Sequence, residues 1–571
     1  MFVKLRFLIL IVFIFYAWIC TQGREPYWQY SPDGWYNLLT DSFLEKQLHF
    51  LAEPRPELLA LKDPYNPIEN GPYRMHDMSL YKGKYYMYYG ITPLIVFYLP
   101  FRLLTGIKLP DNLAVLLFSF GGFMWAVLLL NHIRRLYFPA APKWMMFISV
   151  AVLGFANVVP FNLKRPMMYE VAISSGFFFL MGAMFFLCRE VAKINPNKFL
   201  LGLGSLFLGL SIGGRPTLLL STLIIPLIYL KVIEGKHNFS CKFKYLLALG
   251  LPLLSCLFLL GMYNYLRFDN PFEFGINYST TVYNPREMNI YDLDYIPRSL
   301  YLYFLQPPLI NSTFPFFHLF ASVPALVRSN SPSHVEVVLG IIPGVPFVPL
   351  LLLLPITFWL GKLVKCRETC FKNKILKRVF LWVLIILFSL YLLPVILQIF
   401  KKVKLIDQLI NLSQKITSLG LYSLFVIFIF VLLYHLVIWL KDRALTCNTL
   451  CYNSAFSSFP FYEFSLVILS ALLTLVGLSI VPFVTMRYVA DFITNLIIGS
   501  SIMWFYIDSQ LAFNPKLRGM VSGLAIIFGI GSIIPGIAFG IEPYCNHLRV
   551  DNPMIFYKIE SYFSSILNFL H

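Results

Sequence analysis

The sequence predicts an all-α polytopic membrane protein, and three observations carry that prediction. Of 571 residues, 58% are hydrophobic and only 13% charged, with a mean hydropathy of +0.70; a soluble chain carries about 25% charged residues. Apolar runs of roughly 20 residues recur along the chain, each long enough to cross a ~30 Å hydrocarbon core as a helix. These runs are continuous rather than alternating, which argues against a transmembrane β-barrel.

In chain order, the apolar runs fall at 7–22, 113–131, 144–161, 168–187, 199–212, 217–230, 245–264, 337–361, 379–400, 419–440, 463–484, 489–506 and 519–539, about thirteen helices in all. The first follows Lys4 and Arg6, as a signal peptide would, but Trp18 and Cys20 stand where a small-residue cleavage site belongs. An uncleaved first helix with its N-terminus inside is the expectation.

Residues 91–107 decide the rest of the topology. Counted as a span, they would put the basic loops HIRRLYFPAAPK, KVIEGKHNFSCKFK and KCRETCFKNKILKR outside. Left out, all three fall inside, as the positive-inside rule requires. Pro93, Pro100 and Arg102 also interrupt the stretch. It is therefore expected to lie in the outer interface. The division that follows is 1–22 as the first transmembrane helix and 23–112 as a first outer loop with juxtamembrane helices. Residues 113–264 hold helices two to seven, 265–336 form a second outer loop, 337–539 hold helices eight to thirteen, and 540–571 form an outer tail. KKVKLIDQLINLSQK, at 401–415, fits this scheme poorly because its lysines fall outside.

The net charge of +18 comes from 46 basic and 28 acidic residues. In a membrane protein such charge marks cytoplasmic loops and headgroup contacts, so nucleic acid is not an expected partner. The spacings Cys366-x3-Cys370 and Cys447-x3-Cys451 resemble half of a metal site, but zinc pairs come with a second pair or with histidines. Reduced thiols near the cytoplasmic face are the expectation. No motif calls for a cofactor, and a divalent cation stays open.

Long loops on one face usually carry the function. In the first loop, Asp33 precedes WYNLLTDSFLEKQLHF, which has helical apolar spacing, and Asp41 lies within that helix. Each reads either as a catalytic acid or as a cap or solvated helix position. Asp77 lies in RMHDMSLYKGKYYMYYG near Lys84, Tyr85 and Tyr86, with a turn expected at Lys82-Gly83 between two extended pieces. Aromatics with a carboxylate suit a sugar or lipid headgroup, and equally an interfacial aromatic belt. At helix ends on the outer face stand Glu170, Arg215, Arg267, Arg487, Tyr488 and Asp491. One arginine there often snorkels; several on one face point to an anion such as phosphate.

YNLLTDSFLEKQLHF, DMSLYKGKYYMYYGITP, YNYLRFDNPFEFG and TMRYVADF together resemble the GT-C superfamily of membrane glycosyltransferases. Protein O-mannosyltransferases and the bacterial lipid A aminoarabinose transferase belong to it. The chain is most similar to a bacterial branch with a Leu-Ala-Asp-like helix, a Gly-Lys/Arg-Tyr-Tyr turn followed by proline, and a Tyr-Asn-x-x-Arg-Phe-Gly motif. The resemblance runs patchily from about 26 to 495. Two departures stand out: the superfamily's Asp-Glu pair reads Asp33-Gly34 here, and the motif's last glycine is Asp269. The resemblance implies an inverting transfer of a sugar from a polyprenyl-phosphate donor, in the bacterial cytoplasmic membrane. The acceptor would be a cell-envelope glycan, lipid or protein on the outer face. The base would be Asp41, Asp33 or Asp77, in that order, and the lipid phosphate would face Arg215, Arg267 or Arg487. A transporter or flippase of an amphiphilic substrate is the alternative, and a polysaccharide polymerase or ligase the next.

Overall fold

The computed structural model describes residues 2–24, 34–310, 314–324, 327–352, 459–512, 514–541, 544 and 547–570. It is mostly helical, and six helices among these residues are long and apolar enough to cross a membrane: Asp111–Tyr137, Lys143–Leu163, Met168–Val191, Phe239–Phe268, Phe461–Ser479 and Pro515–Phe539. Each coincides with an expected span. The runs expected at 199–212 and 217–230 form shorter apolar helices, Lys198–Gly214 and Pro216–Val232. The second of these opens as a 3-10 helix, Pro216–Leu223. The runs at 379–400 and 419–440, the 401–415 segment, both cysteine pairs and Asp33 lie outside the described residues.

The helices are labelled here in chain order: α1 (Phe2–Cys20), α2 (Trp35–Leu44), α3 (Leu94–Thr105), α4 (Asp111–Tyr137), α5 (Lys143–Leu163), α6 (Met168–Val191), α7 (Lys198–Gly214), α8 (Pro216–Val232) and α9 (Phe239–Phe268). After them come α10 (Ile296–Phe304), α11 (Phe461–Ser479), α12 (Ile493–Gln510), α13 (Pro515–Phe539) and α14 (Pro553–Leu570). Helix α6 packs between α4 and α7, and α7 in turn packs on α9. Small residues let α7 and α9 approach closely, as in membrane bundles: the Ser205 hydroxyl donates across to the Leu249 carbonyl.

Helix α9 buries one stripe, Tyr245, Leu249, Leu253, Leu260 and Asn264, at helical spacing. Its other side leaves Leu251, Leu254, Phe258 and Tyr265 exposed. So broad an apolar surface belongs against lipid.

Helix α3 comprises five residues of π-helix and seven of α-helix. At 1.5 Å per residue that is about 18 Å, well short of a ~30 Å hydrocarbon core. Leu103 and Leu104 project from it, and Ile107 lies just beyond its end, all exposed. It falls among the shorter apolar helices, below the six long enough to cross a membrane.

Short strands tie the segments between the long helices together. β1 (Met78–Tyr81) and β2 (Lys84–Tyr86) form the expected hairpin. Its two-residue turn has φ of 48° at Lys82 and 71° at Gly83, the left-handed pair that matches the twist of a hairpin. β3 (Ser279–Thr280), from the second long loop, pairs antiparallel with β1, so both loops share one sheet of order β2-β1-β3. β4 (Leu309–Ile310) pairs with β5 (Phe317–His318), and β6 (His334–Val335) runs parallel to β7 (Phe483–Val484).

Candidate functional site

The sheet fixes Asp77. Its amide donates to the Thr280 carbonyl at 3.0 Å, and its own φ is 58°. Aspartate is among the few non-glycine residues that tolerate this region. The bend turns the carboxylate towards α6, where the Tyr169 hydroxyl donates to Asp77 Oδ2. His76 Nε2 lies 3.5 Å from the same oxygen. Asp77 Oδ1 receives no hydrogen bond among the described residues.

Three arginines converge on the same region from separate elements. Arg215 caps the C-terminus of α7, where a cation meets the negative end of the helix dipole. Its place depends on a close backbone crossing: a Cβ on Gly90 would collide with the carbonyl oxygens of Gly213 and Gly214. Arg215 Nη2 lies 2.8 Å from Asp491 Oδ2, the Thr217 hydroxyl donates to the same oxygen at 3.2 Å, and the guanidinium stacks 4.6 Å from the Tyr488 ring.

Arg487 follows β7. Its Nη2 donates to both oxygens of Glu336, at 2.6 and 2.7 Å, and its Nη1 to Glu170 Oε1 at 3.4 Å. Glu170 also accepts from the Met167 amide at the start of α6 and lies 3.7 Å from Arg165. The Tyr169 ring is 4.8 Å from the Arg487 guanidinium and 5.3 Å from that of Arg165. Burial works against the charge on Arg487, but Glu170 and Glu336 outweigh it and hold the guanidinium protonated above its ordinary range. Burial likewise pushes Glu336 up, and Arg487 and the Thr485 hydroxyl pull it below the usual carboxylate range.

These groups border a cavity of about 1480 Å³, larger than the ~300–1,000 Å³ of a small-molecule pocket. At its polar end stand Asp77, Arg165, Arg215, Glu336 and Arg487, with Tyr88, Tyr89, Tyr169, Tyr283 and Tyr488 between them. At its apolar end stand Leu219 and Leu220 of α8 and Leu254, Leu257 and Phe258 of α9. Leu219, Leu254 and Phe258 are exposed, so this end opens on the apolar outer surface of α9.

Of the residues singled out in the sequence, Asp77, Arg215, Arg487 and Tyr488 line the cavity, and Glu170 and Asp491 sit behind it as partners of the arginines. The others among the described residues lie away from the lining. Asp41 pairs with Lys108 at 2.9 Å and Arg102 at 3.9 Å. Lys84 meets His49 at 3.0 Å, the Tyr85 hydroxyl accepts from the Met75 amide, and Tyr86 packs against His49 and Phe268. Arg267 is buried, donating to the Met87 carbonyl and to Asn264 at 2.6 Å, with Tyr263 3.9 Å from its guanidinium. It fastens the chain after β2 to the end of α9. The Tyr-Asn-x-x-Arg-Phe motif is thus one packed unit. Asp269, in place of its glycine, takes the left-handed C-cap at φ 57°, a position glycine commonly fills.

Glu336 was not singled out beforehand. The signal was an acid inside the apolar stretch HVEVVLG, where an ionisable group is costly and implies a partner. Tyr169 lay in view in NLKRPMMYE, but nothing local ties it to Asp77. Among the described residues no three His, Cys, Asp or Glu side chains gather to hold a metal ion. No family model matches the chain, nor does any curated protein or solved structure.

Proposed function

We propose that this protein is a membrane glycosyltransferase of the GT-C type that moves a sugar from a polyprenyl-phosphate donor to an acceptor hydroxyl. The single observation that supports this most is the cavity itself. One chamber combines a carboxylate, a cluster of arginines and an aromatic wall with an apolar end facing lipid. An amphiphilic substrate with an anionic head needs that combination.

In this reading Asp77, rather than Asp41 or Asp33, is the general base. Its Oδ1 takes the proton from the acceptor hydroxyl as that oxygen attacks the anomeric carbon. The bond from that carbon to the phosphate oxygen breaks, configuration inverts, and the lipid phosphate leaves with both bonding electrons. Arg487 and Arg215, with Arg165 beside them, balance the charge that develops there. Tyr169 holds Asp77 in place, and Tyr88, Tyr89 and Tyr283 offer faces for the sugar. Arg267 then acts on structure and not on the phosphate. The topology that goes with this reading is the one of about thirteen spans, with an inner N-terminus, both long loops outside and the chain in the bacterial cytoplasmic membrane.

The test uses the purified full chain with a panel of polyprenyl-phosphate hexoses and an envelope extract as acceptor, following release of polyprenyl phosphate. Release from one donor, abolished by Asp77→Asn, is the expected result. Movement of lipid-linked sugar across vesicles without release, unaffected by Asp77→Asn, would replace the enzyme with a transporter.

A further inference from the structure

The carboxylates around the arginines are not equivalent. Glu170 and Asp491 have side chains 2% and 0% exposed and stand behind the cavity wall. Glu336 is 22% exposed and lines the cavity. Both its oxygens accept from Arg487 Nη2, while Glu170 holds Nη1 from behind and the Thr485 hydroxyl accepts from Nε. Backbone bonds fix the Glu336 main chain: its amide donates to the Val484 carbonyl at 2.9 Å. A side-chain rotation that also breaks the 2.9 Å hydrogen bond from the Thr485 hydroxyl moves its carboxylate off Arg487. Arg487 would then still be held by Glu170 and the Tyr169 ring.

The charges fit an exchange. Arg165 and Arg487 carry two positive charges, and Glu170 and Glu336 carry two negative ones. The cluster is balanced with Glu336 in place and one positive charge in excess when Glu336 swings away. The freed Nη2 carries two charged N–H donors, which suit phosphate oxygens as well as carboxylate oxygens.

We propose that Glu336 is a built-in stand-in for the ligand's phosphate: its carboxylate occupies the Nη2 donors of Arg487 that a lipid-borne phosphate takes, and the phosphate binds by displacing it. This rests on the reading that the cavity receives a lipid phosphate. Glu336 thereby sets a threshold: an anion enters only if it competes with a tethered carboxylate already in position. It also keeps Arg487 neutralised in an apolar setting, where an unpaired charge is costly.

The test measures binding of farnesyl phosphate to the purified full chain in detergent, with inorganic phosphate in parallel. Glu336→Gln and Glu336→Ala are each expected to bind farnesyl phosphate about tenfold more tightly, the order of one displaced charge-assisted contact. Arg487→Gln is expected to lose binding, and the double variant Glu336→Gln with Arg487→Gln to show no gain. A gain of affinity is an outcome that misfolding does not give. If Arg487→Gln loses binding but neither Glu336 variant gains any, the stand-in is overturned and the phosphate site remains. If Arg487→Gln binds like the wild type, the phosphate site at Arg487 falls, and the stand-in with it. Inorganic phosphate binding as tightly as farnesyl phosphate would overturn the lipid part of the proposal.

Discussion

Asp41 and Asp77 belong to the same long loop and have opposite surroundings. Asp41 rides on a regular helix, 26% exposed, with Lys108 and Arg102 beside it. Asp77 sits in a left-handed bend, its side chain 11% exposed, under the Tyr169 hydroxyl and at the wall of the cavity. The first is a partly exposed carboxylate whose cations come from α3 and the residues just after it. The second is positioned by strands from two loops and a helix from the membrane region. A carboxylate that so many remote elements converge to place is the better candidate for chemistry, since backbone strain is retained where the surroundings enforce it.

The sharpest test of that contrast is a pair of isosteric changes. Asp77→Asn keeps a residue that tolerates positive φ and removes the proton acceptor, so transfer should fall by about 10²–10⁴-fold with folding intact by size exclusion and melting. Asp41→Asn should leave transfer within a small factor of wild type. The reverse outcome would restore Asp41 as the base.

That contrast also marks what could be read from the sequence. Segments long and apolar enough to span were legible, and so was the hairpin turn at Lys82-Gly83, because hydropathy and turn chemistry are local. Arg215, Arg487, Glu170 and Asp491 were legible as a set, because charges at the ends of apolar runs are rare enough to stand out. Which carboxylate faces them was not. Helical spacing made Asp41 look purposeful, whereas the place of Asp77 depends on β3 and Tyr169, both distant in the chain. Arg267 shows the same limit. Of its partners, Asn264 is local but the Met87 carbonyl is distant in the chain, and in the proposed reading the two make it a brace.

Arg215, one of three arginines that line the cavity, is paired with a wholly buried carboxylate. Arg215→Ala leaves Asp491, whose side chain is wholly buried, with only the Thr217 hydroxyl as donor among the described residues. Removing one partner of a buried pair costs about 3–5 kcal/mol, so melting in detergent should show a large loss of stability. The double change Arg215→Ala with Asp491→Ala should recover part of that loss, as coupled neighbours do. An additive loss would mean that the pair is not coupled. Asp41→Asn, by comparison, removes only a partly exposed pair, worth ~0.2–1 kcal/mol, and should barely move the melt.

The smallest effect is expected at the hairpin tip, the exposed counterpart of the buried site. Lys82 Nζ and the Tyr81 hydroxyl both donate to Asp269 Oδ2, at 2.6 and 2.8 Å, joining the tip to the turn after α9. The hydrogen bond from Lys82, then that from Tyr81, holds the Asp269 carboxyl below the usual carboxylate range. A lowered folded value means that the contribution is present above the unfolded value of about 3.9 and is lost as pH falls through the folded value. Both partners are solvent-exposed, so salt should also weaken the contact. Amide exchange over Lys84–Tyr86 is the measurement: protection should fall in acid and in high salt, and Asp269→Asn should remove that dependence. Asp269→Gly should do the same while suiting the left-handed backbone at least as well. Neither change should alter transfer much, because Asp77 is held at the other end of β1 by Thr280 and Tyr169. A loss of transfer as large as that of Asp77→Asn would mean that the tip contact, and not the sheet, sets the position of the base.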